Sequence, residues 1–182
     1  MKALIVIDML NDFVTGVLAN EANVIPIVPV IQKMINYARS KSDWLVVYSN
    51  DSHWENDREM AIWGRHAMRG TFGANVIDAL APIGAKREIV SPKRFYGAFD
   101  GTNLDAVFKQ YGVTEVILTG QHTDCCVRHT AYGAFVRGYE MKVLSDAVCV
   151  FLEPDQNKAL NYLQSIYGVE ITTSTELGVY IP

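Results

Sequence analysis

The chain has 182 residues, 49% apolar and 20% charged, with a formal net charge of −4. That size and balance fit a single globular domain over residues 1–182, and they give no reason to expect a nucleic-acid or anionic-membrane partner. No apolar run approaches a membrane span, the apolar stretch after Met1 is too short for a signal segment, and three cysteines, two of them adjacent, form no disulfide framework, so a reducing cytoplasm is the expected location.

Residues 4–7 are apolar at every position, as in a strand covered on both faces. Val24, Ile27, Val28, Ile31, Met34, Ile35 and Ala38 recur every three or four residues, which predicts a helix, and Pro26 and Pro29 place its regular part from about Val30. Residues 44–48 read as a second strand, and residues 52–72, polar, aromatic and irregular, as a long functional loop or a short-helix excursion. One or two helical turns are expected over 75–80, a third strand over 88–90, a helix over 104–111 and a fourth strand over 116–118. A helix opens near Cys126, followed by a strand over 142–144, a helix over 154–167 and a short strand over 169–172. Strands alternating with helices at this spacing predict a Rossmann-like three-layer α/β/α fold with a mostly parallel sheet of about six strands.

Such folds place their chemistry at the carboxyl ends of the strands. Polar and reactive residues do follow strands here: Asp8 the first, Asp51 and His53 the second, Lys93 the third and Cys126 the fourth. A thiol in the first turn of a helix sits where backbone N–H groups stabilise a thiolate and could bind an oxyanion. Taken alone, Cys125 and Cys126 also read as small buried apolar residues.

The segments IDMLNDF, DSH, WGRHAMRGT, KRFYGAFDGT and TGQHTDCCVRHTAYGA resemble the isochorismatase-like cysteine hydrolases, and within them the nicotinamidase/pyrazinamidase-type amidases. The resemblance runs from Lys2 to about Ala147 and rests most firmly on TD-x-C-V-x-x-TA and K-x-x-Y-x-x-F-x-G-T. It implies a catalytic triad of Asp8, Lys93 and Cys126. It also implies a cis peptide between Gln121 and His122, with the N–H groups of His122 and Cys126 forming an oxyanion hole. Physically, a free thiol titrates near about 8.5 and a carboxylate near about 4, so Asp8 alone is a weak base for Cys126. Lys93 and the helix N-terminus both favour the thiolate, and the three groups should titrate as a coupled set.

Asp51 and His53 lie two apart, so on an extended segment both face one way. The resemblance implies a third metal ligand at His66 and, in some members, a carboxylate seven residues earlier, here Glu59; Glu55 and Asp57 compete for that place. This donor set suits Zn²⁺ first, with Fe²⁺ or Mn²⁺ as alternatives. Gly64 and Arg65 stand where the family often has two prolines. Phe13, Trp63 and Tyr96 align with the family's pocket walls and could hold a flat ring. Arg94 reads as a surface charge or a contact for an anionic substrate, His129 as a packing or surface residue, and Cys149 as core.

The leading expectation is therefore a cysteine amidohydrolase of small primary amides, nicotinamide foremost, acting through a thioester on Cys126. An N-carbamoylsarcosine amidase-like hydrolase of carbamoyl or ureido amides is the alternative, and a non-enzymatic thiol redox protein is the reading from another class. The resemblance also implies a homo-oligomer, dimer or tetramer.

Overall fold

In the computed structural model, which describes residues 1–180, the first apolar run is strand β1 (Lys2–Ile7), five of its six residues buried. Its side chains alternate between two cores, as strand geometry requires. Ala3, Ile5 and Ile7 meet Leu104, Phe108, Val127 and Leu163 on one face. Leu4 and Val6 meet Ile31, Met34 and Ile35 on the other. Both faces are covered, so every position after Lys2 is apolar.

The chain continues through α1 (Asn11–Val14), α2 (Glu21–Val24), α3 (Val28–Ser40), β2 (Trp44–Asp51), α4 (Met60–Trp63) and β3 (Glu88–Lys93). It then forms α5 (Leu104–Tyr111), β4 (Glu115–Gln121), α6 (Cys126–Phe135), β5 (Glu140–Cys149), α7 (Gln156–Tyr167) and β6 (Glu170–Thr172). The six strands lie in the order β3-β2-β1-β4-β5-β6, and every neighbouring pair is parallel. The chain crosses the sheet outward from β1 in both directions, so the strand order reverses between β1 and β4. A crevice opens at that point, beyond the carboxyl ends of those two strands.

Several boundaries differ from the sequence reading. β2 and β3 run on to Asp51 and Lys93, which face each other in register as the last residues of their strands. Both are therefore held by the sheet rather than by a following loop. Pro92 is accommodated because β3 is an edge strand. β5 is ten residues long, with a register shift against β4 between Leu118 and Gly120. α3 starts at Val28 because Pro29 occupies its first turn, where no N–H is needed. Residues 75–80 contain a single 3-10 turn, Asp78–Leu80. α7 begins at Gln156, since the Asp155 side chain accepts from the N–H groups of Asn157 and Lys158 as its cap.

One glycine permits the close approach of β1 and β4 beside the crevice. Gly120 has φ +99°, and a Cβ there would lie 2.1 Å from the Ile7 carbonyl oxygen. Its lack of a side chain lets β4 close on β1 at Ile7, one residue before Asp8 and two before His122.

Candidate active site

Asp8 leaves β1 with φ 50°, its N–H bound to the Ser49 carbonyl at 3.0 Å. Its carboxylate is fully engaged. Oδ1 accepts the Asp51 N–H at 2.8 Å, and Oδ2 accepts the Lys93 ammonium at 2.7 Å. Lys93 also donates to Asp51 Oδ1, so one buried ammonium bridges two buried carboxylates. Asp51, which the sequence assigns to the metal set alone, thus belongs to both clusters. The Cys126 sulfur lies within 4.8 Å of an oxygen of each acid, at the head of α6, where its N–H has no partner inside the helix.

Burial sets the protonation of this cluster. Desolvation, reinforced by the charge of Asp51, lifts Asp8 to about 6 despite Lys93. Desolvation works against the Lys93 cation, but Asp51 and Asp8 overcome it and hold its pKa well above the usual value. The Cys126 thiol is pushed well up by its hydrogen bond with Cys125 and then by burial; Lys93 pulls it down, but not far enough to win. Cys125 and burial thus favour the thiol form of Cys126, where Lys93 and the helix N-terminus favour the thiolate, and Asp8 beside it is raised to about 6.

The peptide between Gln121 and His122 is cis. The His122 carbonyl accepts the N–H groups of both Cys125 and Val127 at 3.0 Å, which folds residues 122–126 into a tight loop ahead of α6. The buried His122 imidazole is lowered by desolvation to about 4, so it is neutral, and its ring stacks on Phe151 with centroids 4.6 Å apart.

Asp51, His53, Glu59 and His66 form a second buried cluster, one ligand atom from each lying within 4.8 Å of the others. His53 Nε2 is 3.6 Å from Asp51 Oδ2 and 3.7 Å from Glu59 Oε2; His66 Nε2 is 3.9 Å from the same Glu59 oxygen. Four ligands held about 2.1 Å from an ion are separated from one another by roughly these distances. His53 Nε2 is buried without a hydrogen-bond partner, and Glu59 is raised to about 7 by burial and then by Asp51. An unpartnered imidazole nitrogen beside an acid that a cation would return to its carboxylate form fits a divalent metal. The competing acids lie elsewhere: Glu55 pairs with Arg65 on the surface, and Asp57 contacts the other nitrogen of His53.

A pocket opens onto both clusters. Phe13, Trp63 and Tyr96 line it, with Asp51, Glu59, His66 and Cys126 contributing its polar side. Trp63 Nε1 donates to the Tyr96 hydroxyl at 3.0 Å, which fixes both rings. No Lys or Arg among the described residues lines this pocket. Arg94 instead turns to Asp57. Cys149 is buried, and all three cysteines are free. The His129 ring packs on Tyr96 at 5.1 Å.

Sequence reasoning missed Leu18, Phe151 and Leu152 as wall residues. Phe151 could have been found, because it follows the end of β5, where polar residues at the other strand ends had drawn attention. Asp124 anchors this wall: its carboxylate accepts the N–H groups of Phe151, Leu152 and Glu153 at 3.0, 2.9 and 2.9 Å.

A family model, Isochorismatase domain, matches residues 2–176. The chain is similar to N-carbamoylsarcosine amidase from Thermoplasma acidophilum, with 39% identity and a TM-score of 0.88 over 95% of this chain and 96% of that one. It is also similar to the pyrazinamidase/nicotinamidase of Streptococcus mutans UA159, with 33% identity and a TM-score of 0.88 over 94% of this chain and 100% of that one. A third structure, the pyrazinamidase of Pyrococcus horikoshii in complex with zinc, shares 31% identity at a TM-score of 0.83 over 94% of this chain and 98% of that one. No helix among the described residues is long and apolar enough to cross a membrane.

Proposed function

The chain belongs to the isochorismatase family and is an amidohydrolase; from that premise we propose that it hydrolyses a small, flat, uncharged aromatic amide, nicotinamide foremost, to the acid and ammonia. The observation that carries the choice of substrate is the pocket: aromatic side walls, the Cys126 thiol and a metal-competent cluster at its polar side, and no Lys or Arg lining it. A carbamoyl amino acid carries a carboxylate whose hydration a Lys or Arg would replace well, and neither lines this pocket. The similarity to the Thermoplasma amidase keeps the carbamoyl amide as the second reading.

Cys126 Sγ attacks the amide carbon as its proton passes to Asp8, whose raised pKa suits it to accept and return a proton near neutral pH. The N–H groups of His122 and Cys126 receive the negative charge developing on the carbonyl oxygen. Asp8 then protonates the amide nitrogen, the C–N bond breaks, and ammonia leaves a thioester on Cys126. Water, deprotonated by the same carboxylate, attacks the thioester, and the proton returns to sulfur as the acid departs. Lys93 stays charged throughout and holds Asp8 and Asp51 in register.

Asp51, His53, Glu59 and His66 would hold the divalent ion, zinc foremost; when bound it supplies a Lewis acid able to take a ring nitrogen or a water. The domain is proposed to span residues 1–182 and to act as a homo-oligomer on a small-molecule substrate.

The test is ammonia release from nicotinamide, pyrazinamide and N-carbamoyl amino acids, with and without chelator, by the wild type and Cys126→Ala. Release from nicotinamide that chelator and the substitution each abolish is the expected result. Chelator-insensitive activity confined to carbamoyl compounds moves the assignment to the second reading.

A further inference from the structure

Each histidine of the metal-competent cluster is held from behind through its Nδ1. His66 Nδ1 faces the Gly64 carbonyl oxygen at 2.8 Å, which can only accept, so the ring carries its proton there and presents a bare Nε2. His53 Nδ1 faces Asp57 Oδ2 at 3.1 Å. Asp57 is buried and is tied down from two further sides. Its Oδ2 accepts the Trp54 N–H at 2.9 Å, and its Oδ1 accepts Arg94 Nε at 2.9 Å and a second guanidinium N–H. Arg94 directly follows Lys93, the last residue of β3. The end of that one strand therefore secures both clusters, Lys93 bracing the acids and Arg94 bracing the group behind His53.

We propose that Asp57 and Arg94 are positioning residues for the metal site, holding His53 as the Nδ1–H tautomer so that its Nε2 lone pair points into the Asp51, Glu59 and His66 cluster. This rests on the reading that those four residues bind a divalent ion. Asp57 itself is not a ligand; the Asp51 and Glu59 carboxylates, not Asp57, face Nε2. Outer carboxylates of this kind set a histidine's tautomer and ring angle, and removing one weakens metal binding by about 10- to 100-fold. The His66 clamp is backbone and beyond the reach of side-chain substitution, whereas the His53 clamp is made of side chains.

Zinc affinity of the metal-free protein, measured by competition with a chromophoric chelator, tests this. Asp57→Ala is expected to weaken zinc by about 10- to 100-fold. Asp57→Asn keeps an acceptor for Nδ1–H and recovers part of that loss. Arg94→Ala leaves the acceptor in place but unbraced and gives a smaller loss, readable even if Asp57→Ala fails to fold. In the zinc-loaded wild type labelled with ¹⁵N-histidine, one slowly exchanging Nδ1–H resonance belongs to His53; it is lost in Asp57→Ala and kept in Arg94→Ala, where the acceptor remains. Wild-type zinc binding that is unchanged in all three variants overturns the positioning role. Failure of the wild type to bind zinc at all overturns the metal reading, and this inference with it.

Discussion

Gly120→Ala puts a single methyl group against the join between β1 and β4. An alanine Cβ at this position lies 2.1 Å from the Ile7 carbonyl oxygen, 2.7 Å from its nitrogen and 2.9 Å from its carbonyl carbon. All three atoms are backbone, and Ile7 and Gly120 are direct partners in the register of β1 and β4. No side chain can swing aside, so the strands themselves must part by roughly 1 Å to reach ordinary contact. Overpacking of this kind costs about 1–3 kcal/mol, and a left-handed backbone on a residue with a Cβ adds about 1–2 kcal/mol. The expected loss, read from urea unfolding midpoints, is therefore about 2–5 kcal/mol. Asp8 follows Ile7 and His122 lies two residues beyond Gly120, so the strands carry the misfit into the site. A displacement near 1 Å at reacting groups lowers turnover by about 100-fold. A variant within 0.5 kcal/mol of the wild type by the linear-extrapolation criterion, and with unchanged kcat, refutes the claim that the bare glycine permits this close approach beside the crevice.

Removing the Asp124 anchor by Asp124→Ala frees three backbone N–H groups at Phe151, Leu152 and Glu153; steady-state kinetics should show KM for an aromatic amide rising about tenfold while kcat changes little. A fall in kcat at constant KM would place Asp124 in the chemistry instead. Burial would raise Glu88, but the Arg39 guanidinium and the N–H groups of Ala85 and Ile83 outweigh it and hold the carboxyl below its ordinary 4.5. A depressed folded-state pKa adds stability that is complete above the unfolded value and is lost as pH falls through the folded one. Glu88→Gln should therefore flatten the acid side of the stability profile below about pH 4.5 and cost about 1–3 kcal/mol at neutral pH; an unaltered acid slope excludes this pair as a contributor. Zinc at 100 times its dissociation constant should stabilise the folded chain by about 2.7 kcal/mol, and chelator should remove that gain. Identical melting curves in zinc and in chelator would leave the cluster without a metal.

The sequence by itself determined the alternation of strands and helices, because both faces of a parallel sheet demand apolar runs and the covering helices demand a three-to-four residue period. It also pointed to Asp8, Asp51, His53, Lys93 and Cys126 as reactive groups at strand ends, since polar residues interrupt the apolar pattern there. For the same reason it cut β2 and β3 short of Asp51 and Lys93: at the mouth of the crevice a strand stops looking apolar before its ladder ends. Tertiary structure alone decided what those groups do to one another. That Lys93 bridges Asp8 and Asp51, that the Cys126 sulfur lies close to both acids, and that Arg94 braces Asp57 behind His53 all depend on residues far apart in the chain meeting where water is excluded. Charge, proton affinity and tautomer are properties of that shared enclosure, and no single segment carries them.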